Sequence, residues 1–159
     1  MSDRAVRFVI PLRLQQENKR NRPIREKGGK VKFITRVDVP EAAAFKAQAR
    51  VFAISAMEGR LPFDEPLEIR IRFHRDRPQS ARKYDLWPHK RPDLDNYEKL
   101  AFDAMEGVVY VDDARICLKH SAKVFVEPDG YERIEVEIEP LQDDWPYDRR
   151  VKEGDADEQ

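Results

Sequence analysis

Apolar and polar residues alternate most cleanly from Leu67 to His74. Leu67, Ile69, Ile71 and Phe73 fall on one side, and Glu68, Arg70, Arg72 and His74 on the other. This period-two pattern predicts a strand with one buried and one wet face. Val6 to Leu14 reads as a first strand, with Val6, Phe8 and Ile10 sharing a face. Ile116 to Val126 and Tyr131 to Ile138 are expected to pair as a hairpin across Pro128-Asp129-Gly130, the second arm alternating Ile134, Val136 and Ile138 with acidic partners. Two stretches switch to helical spacing. Asp38 to about Glu58 carries Phe45, Ala49, Phe52 and Met57, with Asp38 as cap, Pro40 in the first turn and Gly59 at the exit. Asn96 to Glu106 places Tyr97, Leu100, Ala101, Ala104 and Met105 on one stripe and is ended by Gly107, while Phe102 falls off the stripe.

Between these elements lie two basic segments. Lys19 to Lys32, broken by Pro23 and Gly28-Gly29, reads as a mobile loop ending in a hairpin into Val31, Phe33 and Thr35. Arg75 to Pro92 holds three prolines together with Arg75, Arg77, Arg82, Lys83, Lys90 and Arg91. A loop that long in a compact domain is usually functional or disordered. The order of elements predicts an α+β fold, a single mixed sheet of about four to five strands with two main helices packed on it. Residues 1–140 are expected to form the domain, with basic loops at 15–32 and 75–92. Residues 141–159 lack periodicity and are expected to be an acidic, disordered tail.

At 159 residues, 40% apolar and 38% charged, the chain suits one folded domain. No apolar run approaches the roughly 18 residues of a membrane span, and MSDRAVRF lacks the apolar core of a signal peptide. One cysteine, Cys117, excludes an intrachain disulfide framework and a cysteine-rich zinc site. A soluble, cytoplasmic protein is expected, with no membrane partner. The net charge of −1 conceals an asymmetry: residues 1–50 carry +8, residues 51–100 carry +1 and residues 101–159 carry −10. Such a split suits either a polyanion-binding body with an acidic end or a solvated surface with no partner.

The candidate chemistry lies in residues 91–113, RPDLDNYEKLAFDAMEGVVYVDD. Pro92 biases Arg91 away from helical geometry, so Asp93-Leu94-Asp95 is expected to enter extended, with the two carboxylates parallel and Leu94 turned to the core. Asp95 or Asn96 would cap the helix. Asp112 and Asp113 follow the helix and a short extended piece, and one of them is expected to return beside the first two. Converging carboxylates repel unless a cation neutralises them, and oxygen-only ligands suit Mg²⁺ or Mn²⁺. Such a site activates water against a phosphodiester. Lys99, one helical turn after Asp95, would hold a phosphate oxygen or stabilise developing charge.

Each piece also has a plainer reading. Asp-x-Asp-Asn is a common cap and turn, Asp112-Asp113 a polar turn, Lys99 a solvated lysine, and Asp103 and Glu106 surface charge. A calcium loop fits poorly, because Tyr97 and Glu98 stand where an EF-hand needs a ligand and a glycine. His74, His89 and His120 show no metal-ligand spacing, and Tyr84, Trp87 and Phe102 read as packing residues. A non-catalytic DNA-binding module, with the acidic motif as cap and turn, is therefore the alternative to a nuclease. A phosphoesterase for small phosphates is a third reading, disfavoured by the long basic loops.

The whole stretch is more specific than its parts. RPDLDNYEKLAFDAMEG followed by VYVDDARI resembles the RusA family of Holliday junction resolvases. The shared pattern is Pro92, Asp93, Asp95, Asn96, Lys99, Asp103, Gly107 and the pair Asp112-Asp113. The similarity, with RPQSARKY upstream, covers about residues 67–126; the N-terminal third has no close motif match, and the acidic tail is not a family feature. The resemblance implies an Mg²⁺-dependent (or Mn²⁺-dependent) endodeoxyribonuclease acting on four-way junctions in recombination, repair or phage DNA processing. Asp93, Asp95 and Asp113 would hold the metal, Lys99 would act at the scissile phosphate, and Lys123 matches a lysine in the following strand. Two symmetrical nicks imply a homodimer. Arg20, Arg22, Arg25, Lys27, Lys30, Arg77, Arg82, Lys83, Lys90, Arg91 and Lys123 are the expected DNA contacts.

Overall fold

Four strands form a mixed sheet in the order β1-β6-β4-β5, from β1 (Val6–Ile10), β4 (Leu67–Arg75), β5 (Ile116–Phe125) and β6 (Arg133–Pro140). Two helices, α1 (Pro40–Met57) and α2 (Leu94–Met105), pack with it around one core. A separate antiparallel ribbon is built from β2 (Lys19–Arg25) and β3 (Val31–Asp38). The computed structural model describes residues 4–14, 19–82 and 84–142, and within these the side chains of 19–21 are not described. The expected acidic tail thus lies outside the described residues apart from Leu141 and Gln142.

The alternation of β4 sets the core. Leu67, Ile69, Ile71 and Phe73 are buried and meet Val6 and Ile10 of β1, Ile134, Val136 and Ile138 of β6, and the helix faces. α1 contributes Ala42, Phe45, Ala49, Ala53 and Met57. It begins at Pro40 with Val39 as its N-cap and no side-chain cap bond, so Asp38 does not cap it. Asp38 instead pairs with Lys46 at 2.5 Å, nearly two turns into the helix. α2 buries the expected stripe of Tyr97, Leu100, Ala101, Ala104 and Met105. Gly107 at φ 72° gives the left-handed turn after it.

Two expectations are corrected. Residues 19–32 are not one loop: the hairpin expected into Val31, Phe33 and Thr35 is present, but its first arm is a strand at 19–25 paired along 31–38, and Pro23 sits opposite Ile34 within it. A two-stranded ribbon leaves each strand an outer edge, where proline's missing N–H costs no ladder bond. β5 and β6 do not form a hairpin, because β4 lies between them, parallel to β5 and antiparallel to β6. The connection crosses the end of β4, where the Val126 N–H donates to the Arg75 carbonyl at 2.9 Å and the Asp76 N–H to Glu132 Oε1 at 3.1 Å. Sequence neighbours usually pair, but β4 is the most completely alternating strand and fills the centre. The acidic partners expected along the last strand do belong to the sheet. On its open face Glu137 pairs with Arg7 and Glu139 with Arg70, each at 2.9 Å, the cross-strand pairing that keeps like charges apart.

Candidate active site

The start of α2 is held against the ends of β4 and β5. Tyr97 stacks on Phe73 with ring centroids 5.6 Å apart, seating the first turn on the last core position of β4. Burial of Tyr97 raises its phenol above the ordinary value. Ahead of the helix, two cations hold the backbone. Arg75 Nη1 donates to the carbonyls of Arg91 at 2.8 Å and Lys90 at 3.3 Å. Lys123 Nζ donates to those of Pro92 at 2.8 Å and Lys90 at 3.0 Å. Lys123 is placed there by β5, in register with Phe73. Burial and the nearby Arg75 charge lower the Lys123 pKa, while the Asp93 carboxylate pulls it the other way.

The segment so fixed leads straight into the acidic pair. Asp93 is the N-cap residue, extended at φ −71° and ψ 153°, and its carboxylate makes no cap hydrogen bond. Asp95 stands in the first helical turn, with Oδ1 accepting from the Asn96 N–H at 3.0 Å. Both side chains are exposed, as is Lys99 one turn on. The expected extended Asp93-Leu94-Asp95 is therefore corrected. The restriction from Pro92 reaches only Arg91, and half-buried Leu94 already begins the helix, so neither Asp95 nor Asn96 is its cap. What survives is the location: two carboxylates at the positive end of a helix dipole, a place that favours anions and bound phosphate.

The second acidic pair stands elsewhere. Asp112 caps a short 3₁₀ turn, its Oδ1 accepting from the Ala114 N–H at 2.8 Å, and Asp113 opens that turn directly before β5. The turn is pinned by Arg115, whose Nε donates to Asp64 Oδ1 at 2.8 Å. β5 then runs from Ile116, beside Leu67, to Lys123, beside Phe73. At about 3.3 Å per residue the seven steps span roughly 23 Å. α2 gives a second ruler: Tyr110, three residues before Asp113, donates its hydroxyl to the Phe102 carbonyl at 2.9 Å, about 12 Å along the helix from Leu94, and the charges of Asp113, Glu106 and Asp103 act on it. There burial first, and then those charges, push the Tyr110 phenol strongly up. Asp113 does not return beside Asp93 and Asp95 within one chain. Among the described residues, no group of three or more His, Cys, Asp or Glu side chains stands close enough to hold a metal ion.

The basic residues divide by role. Lys90 and Arg91 are exposed beside Asp93, on a half-open cavity of about 210 Å³ that Arg75, Pro78, Pro88 and Phe125 also line. Arg77 shapes the loop: its guanidinium donates to the Arg82 and Asp85 carbonyls at 3.0 and 2.7 Å and lies 4.5 Å above the Phe125 ring. Arg82 is exposed, and Lys83 lies outside the described residues. Arg22, Arg25, Lys27 and Lys30 are exposed on the ribbon, whereas Arg20 pairs there through its backbone and its side chain is not described. Tyr84 and Trp87 are 80% and 61% exposed, so they are not the packing residues expected. A tight proline-rich loop turns them outward among its cations. His74, expected on the wet face of β4, is buried and meets Glu135 at 3.1 Å, while His120 meets Glu68 at 3.2 Å and His89 is an exposed loop residue.

Two contributors escape a sequence reading. Arg75 ends β4 on its half-buried side, indistinguishable in the sequence from the other loop arginines. Glu98 is buried beside the site and takes Lys119 Nζ at 2.6 Å. Its place between Tyr97 and Lys99, at the margin of the apolar stripe, was its signal.

Exposed carboxylates at a helix start, braced by cations and flanked by a basic loop and a basic ribbon, suit a protein that works on phosphodiesters. Residues 14–139 match the family described as Endodeoxyribonuclease RusA, and the chain belongs to this family of endodeoxyribonucleases. The match extends the resemblance on both sides of residues 67–126 and takes in the ribbon. No curated protein matches the chain.

Proposed function

We propose that this protein is a divalent-metal-dependent nuclease that resolves four-way DNA junctions as a homodimer, in recombination, repair or phage DNA processing. The observation that carries this reading is the division of the acidic motif between two ends of one chain. Asp93 and Asp95 stand at the start of α2, and Asp113 before the start of β5. The donors are all oxygen and suit Mg²⁺ or Mn²⁺, but one chain brings too few together. Two copies related by a two-fold axis complete two equivalent sites if each offers Asp113 to the other's Asp93 and Asp95. Symmetrical paired nicks then follow from the assembly.

The roles of the chain's own groups follow. When bound, the cation supplies Lewis-acid polarisation of phosphate and activation of water. The α2 N-terminus and Lys99 attract the scissile phosphate. Arg75 and Lys123 fix the approach to Asp93, and Lys90, Arg91 and the ribbon cations hold flanking phosphates with strong salt dependence. Asp112, engaged as a cap, serves the turn.

A synthetic four-way junction tests the activity. Paired nicks near the crossover that require Mg²⁺ and vanish in Asp95→Asn are expected; tight binding without metal-dependent cutting would instead establish a DNA-binding module. Subunit mixing tests the shared site. Asp93→Asn and Asp113→Asn should each be inactive alone, yet their mixture should regain about a quarter of wild-type site activity, because each heterodimer rebuilds one intact site. With subunit exchange verified by labelled chains, a mixture as dead as its parents would place all three carboxylates' action within one copy.

A further inference from the structure

The β2–β3 ribbon carries an arrangement that phosphate binding does not require. Its seven paired positions, from Lys19 opposite Asp38 to Arg25 opposite Val31, extend about 20 Å. Its tip is closed by backbone bonds from Glu26 to Lys30 at 2.9 Å and from Gly29 to Glu26 at 3.1 Å, with Arg25 Nη1 on the Gly29 carbonyl at 2.7 Å. Near that tip, residues directly opposite share a face. Ile24 and Phe33 stand on one side, Pro23 and Ile34 on the other. Phe33 is 53% and Ile34 63% exposed, with Val31 close behind. Large apolar side chains therefore project from both faces of an arm that carries eight Lys or Arg against two acidic residues over 19–38.

That charge selects the occupant. Two such ribbons would repel each other, whereas a polyanion is drawn to both flanks. A two-stranded ribbon fits a DNA groove. Apolar side chains carried into DNA act by wedging between base steps, at an unstacking cost that is least where stacking is already interrupted. A four-way junction offers that interruption at its branch point.

We propose that the ribbon tip is a base-unstacking wedge. Phe33, backed by Ile24 and opposed by Ile34, enters the junction at its branch point, while Arg22, Arg25 and Lys32 hold the phosphates on either side. The wedge rests on the junction-binding reading above.

The test uses the full chain in an Asp95→Asn background, so that the DNA stays intact, and junctions with 2-aminopurine at the branch. Binding should raise the fluorescence several-fold at the branch and leave an internal position of a linear duplex unchanged. Phe33→Ala should abolish the rise and weaken junction binding about tenfold, with duplex binding unchanged, while Phe33→Trp should retain the rise. Because Phe33 is exposed, Phe33→Ala should melt like the parent; a lowered Tm would show that the side chain packs within the fold and would overturn the wedge. So would an undiminished fluorescence rise in Phe33→Ala, or its dissociation into monomers by sedimentation, which would make the tip a contact between copies. A parent that does not bind junctions refutes the junction reading; one that binds them without raising the fluorescence, while the unsubstituted chain still cuts them, refutes only the wedge.

Discussion

Lys123 separates two roles that a basic residue near an active site can play. On the sequence it is one more cation for the DNA, but its ammonium lies against the carbonyls of Pro92 at 2.8 Å and Lys90 at 3.0 Å, one residue ahead of Asp93. Lys123→Met keeps most of the stem and removes both bonds. Arg75 still reaches the Lys90 carbonyl, so the uncompensated loss falls on Pro92. A hydrogen bond from a charged donor contributes about 1.5–3 kcal/mol. Burial and the Arg75 charge already disfavour the protonated form, which points to the lower end of that range. If the loss is felt in the placement of Asp93, about 1.5 kcal/mol predicts a cleavage rate roughly tenfold lower. Single-turnover cleavage of a junction measures the rate, and titrations at several salt concentrations measure binding. Cleavage should fall while affinity and its salt slope hold. A variant that cuts at the parental rate once bound, but whose log–log salt slope is shallower by about one unit, would make Lys123 a phosphate contact and refute the positioning role.

Other consequences can be checked alongside. Lys119→Met leaves Glu98 buried without its 2.6 Å partner, and since Lys119 is itself half-exposed the cost should be about 1–3 kcal/mol in urea unfolding. Burial pushes the Glu135 carboxyl up, but hydrogen bonds and charge from His74 and Arg133 outweigh it and hold its pKa below the usual 4.5. That stabilisation is complete above the ordinary value and is lost as pH falls through the depressed one. Urea midpoints for the parent and Glu135→Gln should therefore differ at pH 7 and converge in acid; a constant gap would refute the assignment. Trp87, exposed among the loop cations, should be quenched on junction binding, and Trp87→Phe should remove most of that signal.

Where the sequence could be read and where it could not follows from what each pattern encodes. Alternation in β4 and the stripe of α2 state which side is buried, and the apolar positions are buried as expected because burial is a local property of spacing, while His74 and Glu98 are buried beyond the pattern. Pairing is not local. Nothing within Ile116 to Val126 says whether β6 or β4 will be its neighbour, and the hairpin expectation failed on that choice. The first arm of the ribbon was missed for a related reason: Pro23 resembles loop chemistry, yet a strand with a free outer edge tolerates it, while Gly28 and Gly29 lie in the turn of the expected hairpin. In α2 the helix itself was legible, while the cap shifted to Asp93 because Leu94, half-buried against the core, begins the helix earlier than the polar pattern suggests.

The same distinction decides the position of Asp113. Eighteen residues separate it from Asp95, long enough for a helix out and a strand back, and a return would close a three-carboxylate site within one chain. The direction of β5 prevents this. α2 carries the chain away from Asp93, the turn at Asp113 reverses it, and β5 then travels all the way back, so that Lys123 reaches Pro92 and Asp113 remains at the start of the journey. A lysine in β5 and an aspartate before it therefore cannot both serve Asp93 of their own chain. The strand that brings Lys123 home holds Asp113 away, which is why the proposed three-carboxylate site draws its third member from a second copy.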